Sequence, residues 1–327
     1  MNAGRNETAT PRPASAPLRV LELYCGIGGC AAALDGAADV VAAIDIDRRA
    51  LEIYRRNLPG HPTLARTIEG LTAAELAGFR ADLWWLSPPC QPYTRRGLGR
   101  DDRDPRAASL LALLDRLEEL GPEAPRHLAL ENVPAFQSSR CHRRLLATMA
   151  RAGYRHCEGL LCPTELGVPN KRRRYYLVAS RDRTPTDWSP SSAEVRSRGT
   201  LRPYLDGHED SLLVDPEVVQ RYRHALDIVD PDEPGAITAC FTAAYGRSPV
   251  RSGSYLALDG AGSAGDSGRK IRLRRFSPTE VLGLLGFPAT FTLPPDLPPE
   301  KAWPLTGNSL SVPAVRRVLS SLLEPSN

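Results

Sequence analysis

The sequence predicts an α/β fold, a doubly wound parallel sheet followed by a smaller second domain, and three observations lead to it. Short apolar runs alternate with helix-patterned segments from Arg19 to Ala179. Residues with chemical potential fall directly after those runs, where open α/β sheets bind ligands. From about Arg181 the alternation fades, and Pro, Ser, Asp and Gly become frequent.

Arg19–Leu23 reads as the first buried strand, followed by Tyr24-Cys25-Gly26-Ile27-Gly28-Gly29 and an alanine-rich helix. Val40–Ile44 is a second strand ending in Asp45, with a helix through Leu51–Asn57 behind it. Leu83–Leu86 is a third, leading into Ser87-Pro88-Pro89-Cys90-Gln91-Pro92. An amphipathic helix carries Leu110, Leu111, Leu113, Leu114, Leu117 and Leu120, and Gly121-Pro122 stops it. His127–Leu130 is a strand ending in Glu131-Asn132-Val133, with a helix near Arg143–Ala152. Two further strands bracket Thr164–Arg174, Tyr175–Ala179 being the second. Residues 181–275 read as a small second domain with a helix near Pro216–Ile228. Ser277-Pro278-Thr279-Glu280 is a capping box with proline at the first helical position. A last helix covers Val312–Leu323 in a C-terminal segment 276–327, which follows the main domain of residues 17–180 and the small one. The polar segment 1–16 reads as a disordered tail.

Composition bounds the function. The 327 residues are 42% hydrophobic and 24% charged, an ordinary globular balance. No apolar run approaches the ~20 residues that span a bilayer, and no secretory signal opens the chain. Seven cysteines, an odd number, suit a reduced cytoplasmic protein. A net charge of +4 permits a nucleic-acid partner without demanding one. The adjacent pairs Cys141-His142 and His156-Cys157 lack the spacer of roughly two to four residues that zinc ligands use, so no metal site is expected.

Each candidate competes with a blander reading. Gly26, Gly28 and Gly29 could be only a tight structural turn, and they depart from the full dinucleotide fingerprint. Asp45 strengthens the ligand reading, because a carboxylate ending the second strand can accept from ribose hydroxyls. Ile68, Glu69 and Ser87 would close around an adenine. A nucleoside without pyrophosphate needs fewer glycines, which favours S-adenosylmethionine over NAD. Cys90 could be a buried core cysteine. Its flanking prolines instead fix a loop that holds the thiol above a strand end. Glu131 could be a solvated acid. A nucleophilic thiolate facing a carboxylic acid suits conjugate addition to a pyrimidine, sulfur adding at carbon-6 and carbon-5 becoming nucleophilic. In a strand Arg172 and Arg174 share one face and can both point into the crevice. Arg95, Arg96, Arg100, Arg103 and Arg106, and a second cluster at Arg269, Lys270, Arg272, Arg274 and Arg275, could line a groove for a nucleic-acid backbone.

Taken in order, Gly26–Gly29, Pro88-Pro89-Cys90-Gln91, Glu131-Asn132-Val133, Arg172-x-Arg174 and Gly307-Asn308-Ser309 resemble the cytosine-5 methyltransferases, from about Leu18 to the C-terminus. The nucleophile loop through Thr94-Arg95, Thr67-Ile68-Glu69-Gly70, Asn170, and Cys240-Phe241-Thr242 with Tyr245-Gly246 resemble the branch that methylates transfer RNA. The resemblance implies a class I S-adenosylmethionine-dependent methyltransferase fold. It implies Cys90 as nucleophile, Glu131 on the ring nitrogen and exocyclic amine, Arg172 on the base carbonyl with Arg174 beside it, and Asn308 organising the cofactor side. Tyr24, Gly26, Ile27, Gly28, Gly29, Asp45, Ile68, Glu69 and Ser87 would hold the cofactor; Arg95, Asn170, Cys240, Phe241 and Thr242 would meet the substrate. The expected partner is tRNA, methylated at a cytosine of the anticodon loop by a monomer. The alternatives are a DNA methyltransferase of a restriction–modification system and a nucleic-acid-binding homologue that has lost catalysis.

Overall fold

A computed structural model describes residues 16–94, 99–189, 199–207, 212–258 and 271–323. The segment 1–15 of the expected tail, Arg95 and Arg96, and Arg269 and Lys270 lie outside these.

The order of elements is β1 (Leu18–Leu23), α1 (Gly29–Leu34), β2 (Ala38–Asp45), α2 (Arg48–Asn57), β3 (Thr63–Ala65), α3 (Ala73–Gly78), β4 (Leu83–Leu86), α4 (Ala108–Leu120), β5 (His127–Asn132), α5 (Arg140–Arg151), β6 (Arg155–Leu161) and β7 (Arg174–Ser180). There follow α6 (Pro216–Tyr222), β8 (Asp227–Val229), β9 (Ser254–Ala257), β10 (Leu273–Arg275), α7 (Pro278–Leu284), α8 (Pro299–Gly307) and α9 (Val312–Leu323).

Strands β1 to β7 form one sheet in the order β3-β2-β1-β4-β5-β7-β6. The strand alternation sends Val20, Trp85, Ala129 and Val178 to one face, against α1, α2 and α9. Leu21, Trp84, Leu128 and Leu177 go to the other, against α3, α4 and α5. Helices thus cover both faces, as a doubly wound sheet requires.

The expectation of a wholly parallel sheet is corrected. β7 runs antiparallel to both β5 and β6, so the sheet is mixed. The link from β6 to β7 is short and carries no crossover helix, which rules out a parallel return. The helix expected to run to Ile228 stops at Tyr222, because Asp227–Val229 pairs with Ser254–Leu256 as a strand. Helix α8 was not foreseen; Pro298, Pro299 and Pro304 suggest breaks, yet Pro304 sits inside the helix. The Ser277 capping box and the bounds of α9 agree with expectation. β8, β9 and β10 make a second, three-stranded sheet, and its Tyr255, Leu256 and Leu273 join the same core as α7 and α9. Among the described residues, no helix is long and apolar enough to cross a membrane.

Beneath the first turn of α1 lies a fully buried carboxyl, Glu22. Tyr54 on α2 donates its hydroxyl to Glu22 at 2.9 Å and contacts His61 at 3.1 Å. Burial pushes the Glu22 carboxyl up to about 8, against the pull of the Tyr54 hydroxyl and the Ala31 and Cys30 amides. The folded state therefore holds a proton that the unfolded chain releases in the usual carboxylate range. Stability from this group is complete below that range and is lost as pH rises through about 8. Urea unfolding should show a slope of up to about 1.4 kcal/mol per pH unit in that window, and Glu22→Gln should flatten it.

Candidate active site

The parallel register sets the site's floor. Leu23 pairs with Ile44 on one side and Leu86 on the other, and Leu86 pairs with Leu130. Tyr24, Asp45, Ser87 and Glu131 therefore lie at one rim of the sheet. β7 starts there too, since Tyr175 pairs with Asn132 and Tyr176 with Glu131. A parallel β7 would have sent Arg174 to the opposite edge.

At the rim's first half, the backbone turns through Tyr24 at φ 60°, Gly26 at φ 53° and Gly28 at φ 99°. A Cβ on Gly26 would meet nothing within 4 Å, so open space lies beside the loop backbone, where a ligand can approach. Gly29 has no such space, because its Cβ would fall 2.9 Å from Leu310; here glycine serves packing of α1 against the chain before α9. Asp45 accepts from the Gly26 amide and the Asp47 amide, both at 2.8 Å. It thus anchors the glycine loop as well as facing the rim, and burial raises its pKa against those two amides. Ile68 is buried while Glu69 is exposed, so of this pair Glu69 is free to reach a ligand. Ile46, directly after Asp45, is 69% exposed; sequence reasoning passed over it, and its signal was an apolar side chain beside a candidate ribose acceptor. The exposed apolar wall, the open glycine cradle and the strand-end carboxylate fit an adenosine-bearing cofactor.

The second half holds the reactive groups. Ser87 Oγ donates to the Tyr24 carbonyl at 3.0 Å, and Asn132 Nδ2 donates to the Pro88 carbonyl at 3.1 Å. The cysteine loop is thereby stitched to the glycine loop on one side and to β5 on the other. Cys90 is half-buried; burial and then the charge of Glu131 push its thiol up, while Arg174 and Arg172 pull it back. Glu131 is buried, its carboxyl raised by that burial and lowered by Arg174 and Arg172. Arg174 Nε lies 3.2 Å from Glu131 Oε1. Cys240 sits against both arginines, at 3.5 Å from Arg172 Nη1 and from Arg174 Nη2. Burial would raise its thiol, but the two arginines bring it below the usual range.

Arg172 is committed elsewhere. It precedes β7 rather than sharing a strand face with Arg174, and it is 3% exposed. Its Nη1 donates to the Phe241 carbonyl at 3.0 Å, and its Nη2 donates to the carbonyls of Gly307 and Ser309. Both terminal nitrogens donate to backbone and its Nε is buried without a partner, while Arg174 is the guanidinium in direct contact with Glu131. Asn170 and Phe241 are also corrected as substrate contacts. Asn170 is 0% exposed and donates to Thr238 Oγ1 and the Ala239 carbonyl. Phe241 is 1% exposed and packs edge-on to Tyr245 and Phe276. Thr242 is half-buried, with its hydroxyl accepting from the Ala244 amide. Gly307 is pressed onto its backbone, since a Cβ there would lie 2.4 Å from the Thr242 carbonyl carbon. Asn308 is exposed beside this contact.

The proposed basic groove is only partly supported. Arg274 is 1% exposed and held by both oxygens of Glu280, so it cannot touch a phosphate. Arg106 is tied to Asp104, whereas Arg100, Arg103 and Arg272 are exposed. His142, from a pair set aside as a metal ligand, contacts Glu158 at 2.8 Å and Tyr175 at 3.0 Å.

Residues 18–324 match the family described as C-5 cytosine-specific DNA methylase. The chain is 36% identical to a tRNA (cytosine(38)-C(5))-methyltransferase of Schizosaccharomyces pombe, covering 95% of this chain and 98% of the relative. It is 31% identical to a DNA (cytosine-5)-methyltransferase of Dictyostelium discoideum, covering 94% of this chain and 95% of the relative. The crystal structure of an S. pombe Dnmt2 methyltransferase superposes with a TM-score of 0.80 at 31% identity, over 94% of this chain and 98% of that one.

Replacing Arg172 by lysine keeps the charge but cannot serve three carbonyls in one plane. Arg172→Lys is expected to lower unfolding free energy by about 1–3 kcal/mol, the cost of leaving buried acceptors unpaired. Urea denaturation measures it, and an unchanged midpoint would contradict the role given to this fork.

Proposed function

The chain belongs to the C-5 cytosine-specific DNA methylase family and is a cytosine-5 methyltransferase, and from that premise we propose that it methylates a cytosine in the anticodon loop of a tRNA. The observation that carries the chemistry is the buried Arg174–Glu131 contact beside the Cys90 thiol. The choice of tRNA rests on the near full-length likeness to tRNA methyltransferases.

Glu131, its carboxyl raised by burial, donates to the pyrimidine ring nitrogen when it carries a proton. Cys90 gives its proton to solvent and its thiolate adds to carbon-6, so carbon-5 becomes nucleophilic. S-adenosylmethionine, held by the Gly26–Gly28 turn, Asp45, Ile46 and Glu69, supplies the electrophilic methyl group when bound. Loss of the carbon-5 proton and expulsion of the Cys90 sulfur then restore the aromatic ring, and Glu131 recovers its proton. Arg174 stabilises the base carbonyl as charge develops on it, and Arg172 fixes the surrounding backbone. The target must leave its stack, since sulfur attacks the ring face; a partly unstacked anticodon loop lowers that cost.

Cys90→Ala should abolish methyl transfer while leaving S-adenosylmethionine affinity nearly intact. With 5-fluorocytosine at the target, only the wild type should form a covalent RNA adduct on a denaturing gel. Turnover retained by the alanine variant would remove Cys90 from the mechanism.

Asp45→Ala removes a ribose acceptor and also frees the Gly26 amide. Cofactor affinity measured by calorimetry should fall by about 1–3 kcal/mol. Unchanged affinity would shift the ribose contact to Glu69.

The DNA reading is kept because the Dictyostelium relative is named for DNA. Duplex DNA and unmodified tRNA transcripts offered at equal concentration, followed by mapping of 5-methylcytosine in both, decide between them. Faster methylation of the duplex would overturn the tRNA assignment.

A further inference from the structure

A cavity of about 340 Å³ opens between α6, the turn at Gly246–Pro249 and the strands β9 and β10. The chemistry above does not use it. Its walls include Arg221, Arg247, Arg275, Tyr222 and Tyr255, and Glu217 is its single acid. The Arg221 guanidinium lies over the Tyr222 ring at 5.5 Å, and Arg275 lies over Trp303 at 6.0 Å. Arg247 is exposed and donates to the Ala243 carbonyl at 2.8 Å. Among the described residues none of these three arginines pairs with a carboxylate, whereas Arg126, Arg151 and Arg202 each do. Three cations around one concave surface repel one another, and an anion brought from outside relieves that repulsion. A guanidinium fork matches phosphate oxygens, and the half-buried Tyr222 ring on the cavity wall can stack on a base.

The cavity also has a fixed relation to the reacting groups. From Cys240, which touches Arg172 and Arg174, the chain enters a compact turn. That turn is closed by amide donation from Tyr245 to the Thr242 carbonyl and from Arg247 and Ser248 to the Ala244 carbonyl. Gly246 stands in it at φ 81°, and a Cβ there would lie 2.2 Å from Trp303. The turn is thus packed onto α8 and cannot drift relative to the Gly307 carbonyl that holds Arg172.

We infer that this cavity binds a backbone phosphate and its unpaired base from the RNA substrate, outside the reacting cytosine. The inference rests on the tRNA assignment, and its test separates the two. Binding of a tRNA transcript is followed by fluorescence anisotropy across a salt series for wild type and for the double variant Arg221→Gln, Arg247→Gln. Loss of two phosphate contacts should weaken affinity about tenfold at physiological salt and reduce the slope of log K against log salt by about two. Tyr222→Ala should weaken binding of a single-stranded loop oligonucleotide several-fold through lost stacking. Arg126→Gln with Arg202→Gln removes the same net charge from carboxylate-paired sites and should leave the slope unchanged. Cofactor affinity and melting temperature, equal to wild type, establish that the variants are folded. A double variant that binds tRNA with wild-type affinity and slope, while wild type methylates tRNA, overturns this site alone. A control pair that lowers the slope equally also overturns it. A wild type that methylates only duplex DNA overturns the substrate assignment, and the RNA occupant with it.

Discussion

The reversal of β7 against β5 is the constraint on which the rest of the site depends. Parallel strands deliver their carboxyl ends to one rim, and four such ends supply the glycine turn, Asp45, Cys90 and Glu131. A carboxyl that must be buried yet remain chemically useful needs a counter-charge at close range. Among the described residues the cations that act on Glu131 are Arg174 and Arg172, at the start of β7 and just before it. An antiparallel neighbour enters the sheet where β5 leaves it, and so sets Arg174 at 3.2 Å from Glu131.

Arg172 extends that constraint outward. One guanidinium gathers carbonyls from Phe241, in the chain between β8 and β9, and from Gly307 and Ser309, at the junction of α8 and α9. These segments lie far apart in sequence, and each borders the crevice. The absence of a side chain at Gly307 lets its backbone meet that of Thr242, which brings the carbonyls within reach of one fork. The second sheet and the C-terminal return are therefore fastened to the catalytic rim by a charged group rather than by apolar packing alone. Asn170 adds a second fastening through Thr238 and Ala239. Residues that read as substrate contacts by their motif act here as the ties that hold the recognition segment against the active site.

What was legible in the sequence was local. Strand cores, the glycine turn, the proline-framed Cys90 loop and the Ser277 capping box are set by near neighbours and were read directly, although β5 runs on to Asn132 where an end at Leu130 was expected. Strand direction is not local: Tyr175–Ala179 is equally apolar whichever way it runs, and only the short link after β6 hints at reversal. Burial of polar groups was the other blind spot. Arg172 and Arg174 look alike in sequence, as do Arg272, Arg274 and Arg275. Which of each set turns inward depends on distant partners such as Gly307 and Glu280. Proline misled at α8, where Pro304 sits in a helix anchored by Trp303 donating to the Phe276 carbonyl at 3.0 Å. Pairing at a distance can override a local breaker, because tertiary contacts outweigh propensity.

The two thiols at the arginine pair show how one field yields two behaviours. Both Cys90 and Cys240 feel Arg172 and Arg174, yet Cys90 is pushed up and Cys240 brought down. The difference is one of geometry: Cys240 is within hydrogen-bond reach of both guanidinium groups, while Cys90 faces Glu131 as well and gains only their more distant charge. A resting Cys90 is thus held as the thiol, the less reactive form. The same burial raises Glu131, and the two arginines pull both groups back toward their ionised forms.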